Sequence, residues 1–147
     1  MKYRLVGSEM CIRDSNALAS GKDPQRMGSA HPNLVPYRAF QASDGWFVIG
    51  VGSDNQWTQL CEHLELENQE NWHTNAGRIA DRDNIESIVG EIVGKYDRQT
   101  LERLLEGVPC APVNTITEAL NDQQSVARGV VTDYNGVQVL ASPLRFY

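Results

Sequence analysis

VPYRAFQASDGWFVIGVGSDNQW, residues 35–57, is the stretch on which the fold is read. Val35 to Gln41 and Trp46 to Val51 are aromatic and β-branched runs, separated by Ala42-Ser43-Asp44-Gly45, where Asp-Gly favours a tight turn. The two runs predict a β-hairpin. Pro36 has no amide donor and belongs at the start or edge of its strand. Ser53 then stands where a helix N-cap is needed, with Asp54 placed favourably against the positive helix end. Trp57, Leu60, Cys61 and Leu64 follow at i, i+3, i+4 and i+7, one apolar face that predicts burial. A hairpin running directly into an amphipathic helix gives an α+β unit.

Downstream, the same spacing predicts three more helices. They run from Asn75 to Asp81, from Asp83 to Lys95 with Ile85, Ile88, Val89 and Ile92 on one face, and from a cap at Asp97 through Leu101, Leu104 and Leu105 to Gly107. Val108 to Val113 (VPCAPV) is apolar, but its two prolines confine it to an extended, edge-like course. A short helix is expected at Thr117 to Leu120 and another turn or two over Asp122 to Arg128. Val130 to Tyr134 and Val137 to Leu140, joined by Asn135-Gly136, predict a terminal hairpin with a type I′ turn. The chain stops at Ser142-Pro143-Leu144-Arg145-Phe146-Tyr147 with no polar tail, which reads as a truncation. Upstream, Asn16 to Asn33 mixes Gly, Pro, Ser and charge without apolar periodicity and is expected to be an extended loop.

The first fifteen residues, MKYRLVGSEMCIRDS, resemble translated sequencing adapter. Leu5 to Asp14 can be written as the codons CTC GTG GGC TCG GAG ATG TGT ATA AGA GAC, which resemble a transposon end joined to an indexing primer. They are therefore set aside from fold reasoning. The chain carries 13 Lys+Arg and 19 Asp+Glu. Without Lys2, Arg4, Arg13, Glu9 and Asp14 it has 10 basic and 17 acidic residues, net −7. That balance, without a basic block, offers no footprint for nucleic acid or an anionic membrane surface. Cys61 and Cys110 form neither a disulfide framework nor a zinc spacing and fit a reduced, cytoplasmic protein. No apolar run approaches the roughly 20 residues of a membrane span. The 132 residues from Asn16 onward suffice for one domain with a core.

Motifs for nucleotide, hydrolase or zinc-protease chemistry, GxGxxG, GxxxxGK[ST], GxSxG and HExxH, do not occur. His63 and His73 are expected to be surface, cap or loop residues. Glu65 and Glu67 are expected to form a solvated acidic patch, and Trp46, Trp57 and Trp72 to pack in the core or on the sheet. The stretch that stands out is Gly28-Ser29-Ala30-His31-Pro32-Asn33, small residues just before the first strand. Such a loop can offer amides and an imidazole to an anionic or thioester group; it can equally be a surface turn without a ligand.

GSAHPNLVPYRAFQASDGWFVIGVGSDNQW, followed by Asn75-Ala76-Gly77-Arg78, by Gly107-Val108-Pro109-Cys110-Ala111-Pro112-Val113-Asn114 and by Ser142-Pro143-Leu144-Arg145-Phe146, resembles the family III CoA-transferases, the CaiB/BaiF family. The resemblance covers nearly all of Asn16 to Tyr147. It implies an α/β protein in which residues 16–34 are an entry loop or linker, 35–128 a small α+β domain, and 129–147 the truncated start of the return to a large Rossmann-like domain. It implies an intertwined homodimer and an Asp nucleophile that passes through an aspartyl-CoA thioester. That Asp and the CoA-contacting basic residues lie upstream of the matched stretch, so no residue here inherits their roles. The substrates implied are an acyl-CoA and a free carboxylic acid, with no tightly bound cofactor and no metal. Gly28, Ser29, Ala30, His31, Pro32 and Asn33 align with a glycine-containing loop that covers the catalytic carboxylate. Having Ala30-His31-Pro32-Asn33 where some relatives have more glycine, it is expected to be stiffer. The wording GSAHP and VPYRAF is closer to members that handle succinyl or related dicarboxylates. Two other readings stand beside this one: a 2-methylacyl-CoA racemase of the same fold, which moves an α-proton, and a non-catalytic dimer-interlock module.

The adapter reading has a direct check. Sequencing source DNA with a primer inside the Trp46 to Val51 codons is expected to run upstream of Asn16 into a long open frame without MKYRLVGSEMCIRDS; a genomic frame that begins with those residues overturns it.

Overall fold

The computed structural model describes residues 8–142. The remaining adapter-like residues and the closing Pro143 to Tyr147 lie outside the described residues. Helix α1 spans Ser8–Ser20, so the stretch expected to be loop from Asn16 begins as helix. Ala17, Leu18 and Ala19 are good helix formers, and the Ser20 hydroxyl donates to the Asn16 carbonyl at 2.7 Å. The loop proper starts at Gly21, where the helix stops.

Strands β1 (Tyr37–Ala42) and β2 (Gly45–Gly50) form the expected antiparallel hairpin. Ala42 pairs with Gly45, leaving Ser43 and Asp44 as a two-residue connection. Alternation along β2 sends Phe47 and Ile49 into the core, both fully buried. Trp46 takes the opposite face and is 51% exposed, so it stands outside the core. Strand β3 (Cys110–Pro112) pairs with β2 as an edge, the place that Pro109 and Pro112 tolerate.

Helix α2 (Asp54–His63) starts where expected, with the Ser53 hydroxyl accepting the Gln56 amide at 3.3 Å. Trp57, Leu60, Cys61 and Leu64 are buried. A 3-10 turn at Glu70–Trp72 leads to α3 (Asn75–Ala80), capped by Thr74. Helix α4 (Arg82–Val93) lies on the sheet and buries Ile85, Val89 and Val93, while Ile88 and Ile92 pack at the rim of the core. Helix α5 (Arg98–Leu104) is capped by Asp97, whose carboxylate accepts the Thr100 amide at 2.7 Å. The core is thus one cluster, from Val35 through the sheet to Leu105 and Val108.

Beyond the core, α6 (Ile116–Asn121), α7 (Gln123–Ala127), β4 (Val131–Tyr134) and β5 (Val137–Leu140) contribute no buried residue. Asn135 and Gly136 both have positive φ, as the predicted type I′ turn requires. A capping box starts α6: the Glu118 carboxylate accepts the Thr115 amide at 2.7 Å while the Thr115 hydroxyl accepts the Glu118 amide. Arg98 joins this C-terminal segment to the core. Its guanidinium donates to Glu118 at 2.8 Å, to the Val113 carbonyl at 3.0 Å and to Asp44 at 3.3 Å. The Arg98 hydrogen bond, followed by the Thr115 amide and hydroxyl, holds the Glu118 carboxyl down at about 2.

Gly77 is the most constrained position of α3, since a Cβ there would sit 1.7 Å from the Asn71 carbonyl oxygen, a backbone atom that cannot swing aside. Gly77→Ala is expected to destabilise the chain by about 3 kcal/mol or more, read as a lower urea midpoint at unchanged slope; a loss below about 1 kcal/mol would show that Asn71 yields easily.

Candidate functional site

The loop Gly28 to Asn33 is built by consuming most of its own polar groups. Gly28 adopts φ 59, a left-handed conformation that glycine supplies without strain, and a Cβ there would meet nothing within 4 Å. Backbone conformation, not space, is what asks for glycine. The Ala30 amide donates to the Met27 carbonyl at 3.0 Å, and Ala30 is buried, seating the loop on the molecule. The Ser29 hydroxyl oxygen accepts the Ala39 amide at 3.1 Å, and the His31 amide donates to the Tyr37 carbonyl at 2.9 Å. Together they lay the loop along the start of β1.

The His31 ring leans on Tyr37 at a centroid distance of 5.3 Å and 52°. Its Nδ1 accepts the Asn33 amide at 3.1 Å. In the neutral ring that places the proton on Nε2, making this atom a donor. The sequence suggested that the loop offers amides and an imidazole, and the structure narrows that offer. The amides of Ala30, His31 and Asn33 are already engaged, and Pro32 has none. Among the described residues this leaves the Gly28 and Ser29 amides, the Ser29 hydroxyl hydrogen and His31 Nε2. Two of its carbonyls are occupied, Pro32 by Arg82 at 2.9 Å and Asn33 by Asn75 at 2.8 Å, and the Asn33 side chain forms reciprocal hydrogen bonds with Asn16 at 2.7 and 3.3 Å. The carbonyls of Gly28, Ser29, Ala30 and His31 accept no hydrogen bond among the described residues. The donors it keeps toward an anionic group are the Gly28 and Ser29 amides, the Ser29 hydroxyl and His31 Nε2, alongside carbonyls that remain open.

The supports of the loop are residues to which sequence reasoning assigned no role. Asn75 holds both ends of the 33–35 segment, donating to the Asn33 carbonyl and accepting the Val35 amide at 3.3 Å. Arg78 is buried and donates to the Val35 carbonyl at 2.8 Å, to the Trp72 carbonyl at 2.9 Å and to Asp54 at 2.8 Å, with its guanidinium 5.4 Å from the Trp57 ring centre. Arg82 is gripped by Glu86 at 3.1 Å, and Glu86 also pairs with Arg38 at 2.7 Å. The quoted Asn75-Ala76-Gly77-Arg78 run was the available signal. Its partners at Asn33 and Val35 are some 40 positions away and were not legible.

The other residues singled out in the sequence stay apart from this loop. His73 meets the Asn68 carbonyl at 3.3 Å, His63 ends α2, and Glu65 and Glu67 are exposed. Burial pushes the Cys61 thiol up to about 12, outweighing the opposing pull of Arg78, and raises Cys110 as well, so neither is an activated nucleophile. Among the described residues no group of three or more His, Cys, Asp or Glu is placed to hold a metal ion, and no helix is long and apolar enough to cross a membrane.

A family model described as CoA-transferase family III matches residues 4–146, a span that includes most of the adapter-like leader. The succinate–glutarate CoA-transferase of Agrobacterium fabrum is 34% identical over 126 residues, covering 82% of this chain and 32% of that protein. The succinyl-CoA:mesaconate CoA-transferase of Haloarcula hispanica is 37% identical over 115 residues, covering 77% of this chain and 29% of that protein. The crystal structure of a CaiB/BaiF family protein from Brucella suis superposes with a TM-score of 0.79 at 38% identity, over 93% of this chain and 38% of that one. The chain thus spans about a third of the length of the curated relatives it matches.

Because Asn75 serves two backbone groups at once, Asn75→Ala is expected to cost about 1–3 kcal/mol, measured by thermal or urea unfolding. A change within about 0.5 kcal/mol would mean that water replaces both hydrogen bonds freely.

Proposed function

This chain belongs to CoA-transferase family III, and from that premise we propose that it is part of an enzyme that moves CoA between an acyl-CoA and a free dicarboxylic acid of the succinate type. The observation that carries the proposal is that the Gly28–Asn33 loop keeps two amides and His31 Nε2 without a partner among the described residues, donors that suit a carboxylate or a developing thioester oxyanion. The named substrates of the relatives, succinate, glutarate and mesaconate, are all dicarboxylates and support the same class.

In the proposed reaction an Asp carboxylate outside these 147 residues attacks the thioester carbonyl and expels CoA thiolate, leaving a mixed anhydride. The thiolate attacks the aspartyl carbonyl, the donor acid departs as its carboxylate, and an aspartyl-CoA thioester remains. The acceptor carboxylate then attacks that thioester, CoA thiolate leaves again, and its attack on the new anhydride gives the second acyl-CoA and frees the Asp. No net redox change occurs. In this scheme the loop lies over the intermediate, limits water and presents His31 Nε2–H to an anionic oxygen. Residues 129–147 are proposed to begin the return to a large domain of an intertwined homodimer in the cytoplasm. The exposed apolar side chains of Ile116, Val126, Tyr134, Val137 and Leu140 support such a covering.

The test uses the longer protein that contains this chain, assayed with succinyl-CoA and glutarate or mesaconate by chromatography of the CoA esters. Transfer is expected, with residues 16–147 alone inactive. His31→Ala is expected to lower kcat/KM by roughly tenfold to a hundredfold, the value of one hydrogen bond to a charged group. Absence of transfer, together with α-proton exchange in a 2-methylacyl-CoA, would replace this reading by the racemase.

A further inference from the structure

We infer that Arg82 is a positioning residue for the Gly28–Asn33 loop, held in place by Glu86 and through it by Arg38; the inference rests on the loop's role in the proposed transfer reaction. Arg82 opens α4, and its guanidinium spans two groups: Nη2 donates to the Pro32 carbonyl at 2.9 Å and Nη1 to Glu86 Oε1 at 3.1 Å. Glu86 stands one helical turn further on and is nearly buried, its side chain 8% exposed. Its other oxygen takes Arg38 Nη1 at 2.7 Å, and Arg38 belongs to β1, on which the loop lies. The carboxylate thus fixes the guanidinium that meets Pro32, and is itself fixed to the strand. A planar, forked donor suits this bridging, since one side chain serves a carbonyl and a carboxylate at once.

Three features separate this contact from the general packing of the core. Pro32 has no amide, so its carbonyl is the only backbone hydrogen-bonding group by which that residue can be held. It lies between His31, whose Nε2 has no hydrogen-bond partner among the described residues, and Asn33, whose amide sets the His31 tautomer. A shift at Pro32 therefore moves both. Finally, removing Arg82 leaves Glu86 paired with Arg38, so no buried charge is orphaned, whereas removing Arg78 would undo the core. Arg82 is where the loop can be loosened without unfolding the rest.

The deciding measurement is NMR-resolved amide hydrogen exchange on the full 147-residue chain. Arg82→Ala is expected to speed exchange at Ala30, His31 and Asn33 about tenfold, with Phe47 in β2 and Leu60 in α2 unchanged. Arg82→Lys, which keeps the charge but not the fork, is expected to fall between. Loop exchange at the wild-type rate, or equal acceleration at Phe47 and Leu60, overturns the inference. In the longer protein, Arg82→Ala is expected to lower kcat for succinyl-CoA transfer more than it raises KM. Faster loop exchange with unchanged transfer kinetics would leave Arg82 positioning the loop and sink the loop's part in the reaction instead.

Discussion

A guanidinium inside the molecule organises everything around it. Arg78 is 1% exposed, and a cation taken out of water is costly unless each of its donors finds an acceptor. Here the Val35 carbonyl, the Trp72 carbonyl and Asp54 take them, while the Trp57 ring lies beside the guanidinium plane. These partners belong to the entrance of the sheet, the 3-10 turn and the start of α2. Withdrawing the arginine would leave two carbonyls without their donor, at about 1–3 kcal/mol each when sealed from water. Gly77 beside it lets α3 press against the Asn71 backbone closely enough for the guanidinium to reach.

From this clamp the constraint spreads to the loop. Asn75 holds residues 33 and 35, and Arg82 holds Pro32. Movement of the segment from His31 to Asn33 must break hydrogen bonds to Tyr37, Asn75 and Arg82 together, so its shape is set by α3 and α4 as much as by its own residues. The left-handed Gly28 stands at the other end, where the loop meets Gly21 to Met27. The contacts that would oppose movement of Ala30-His31-Pro32-Asn33 are the occupied Pro32 and Asn33 carbonyls and the imidazole nitrogen used inside the loop.

The C-terminal segment obeys a different balance. Its caps and turn are locally complete, yet α6, α7 and the β4–β5 hairpin bury nothing, and a two-stranded hairpin alone is marginal in water. What ties it to the core is Arg98, shared by Asp44 in the hairpin turn, the Val113 carbonyl and Glu118. Helices and turns form there on local signals; packing is what they lack.

Local physics was legible in the residues. Period-two runs marked β1 and β2, period-3.6 stripes marked α2, α4 and α5, the oxygen side chains of Ser53 and Asp97 marked their caps, and the prolines of VPCAPV marked an edge strand. These succeed because each depends on neighbours within a few positions. Where several local tendencies competed, reading was weaker: Asn16 to Ser20 joined a helix, and Trp46 faced outward once Phe47 and Ile49 had taken the core side. The candidate loop was also marked by its composition, and the ordered motifs carried the family. What only the tertiary structure decided is which groups the loop has left to offer. That depends on Asn75, Arg78 and Arg82 meeting backbone carbonyls some 40 to 50 positions away, and a hydrogen bond between distant residues leaves no periodicity in the chain that makes it.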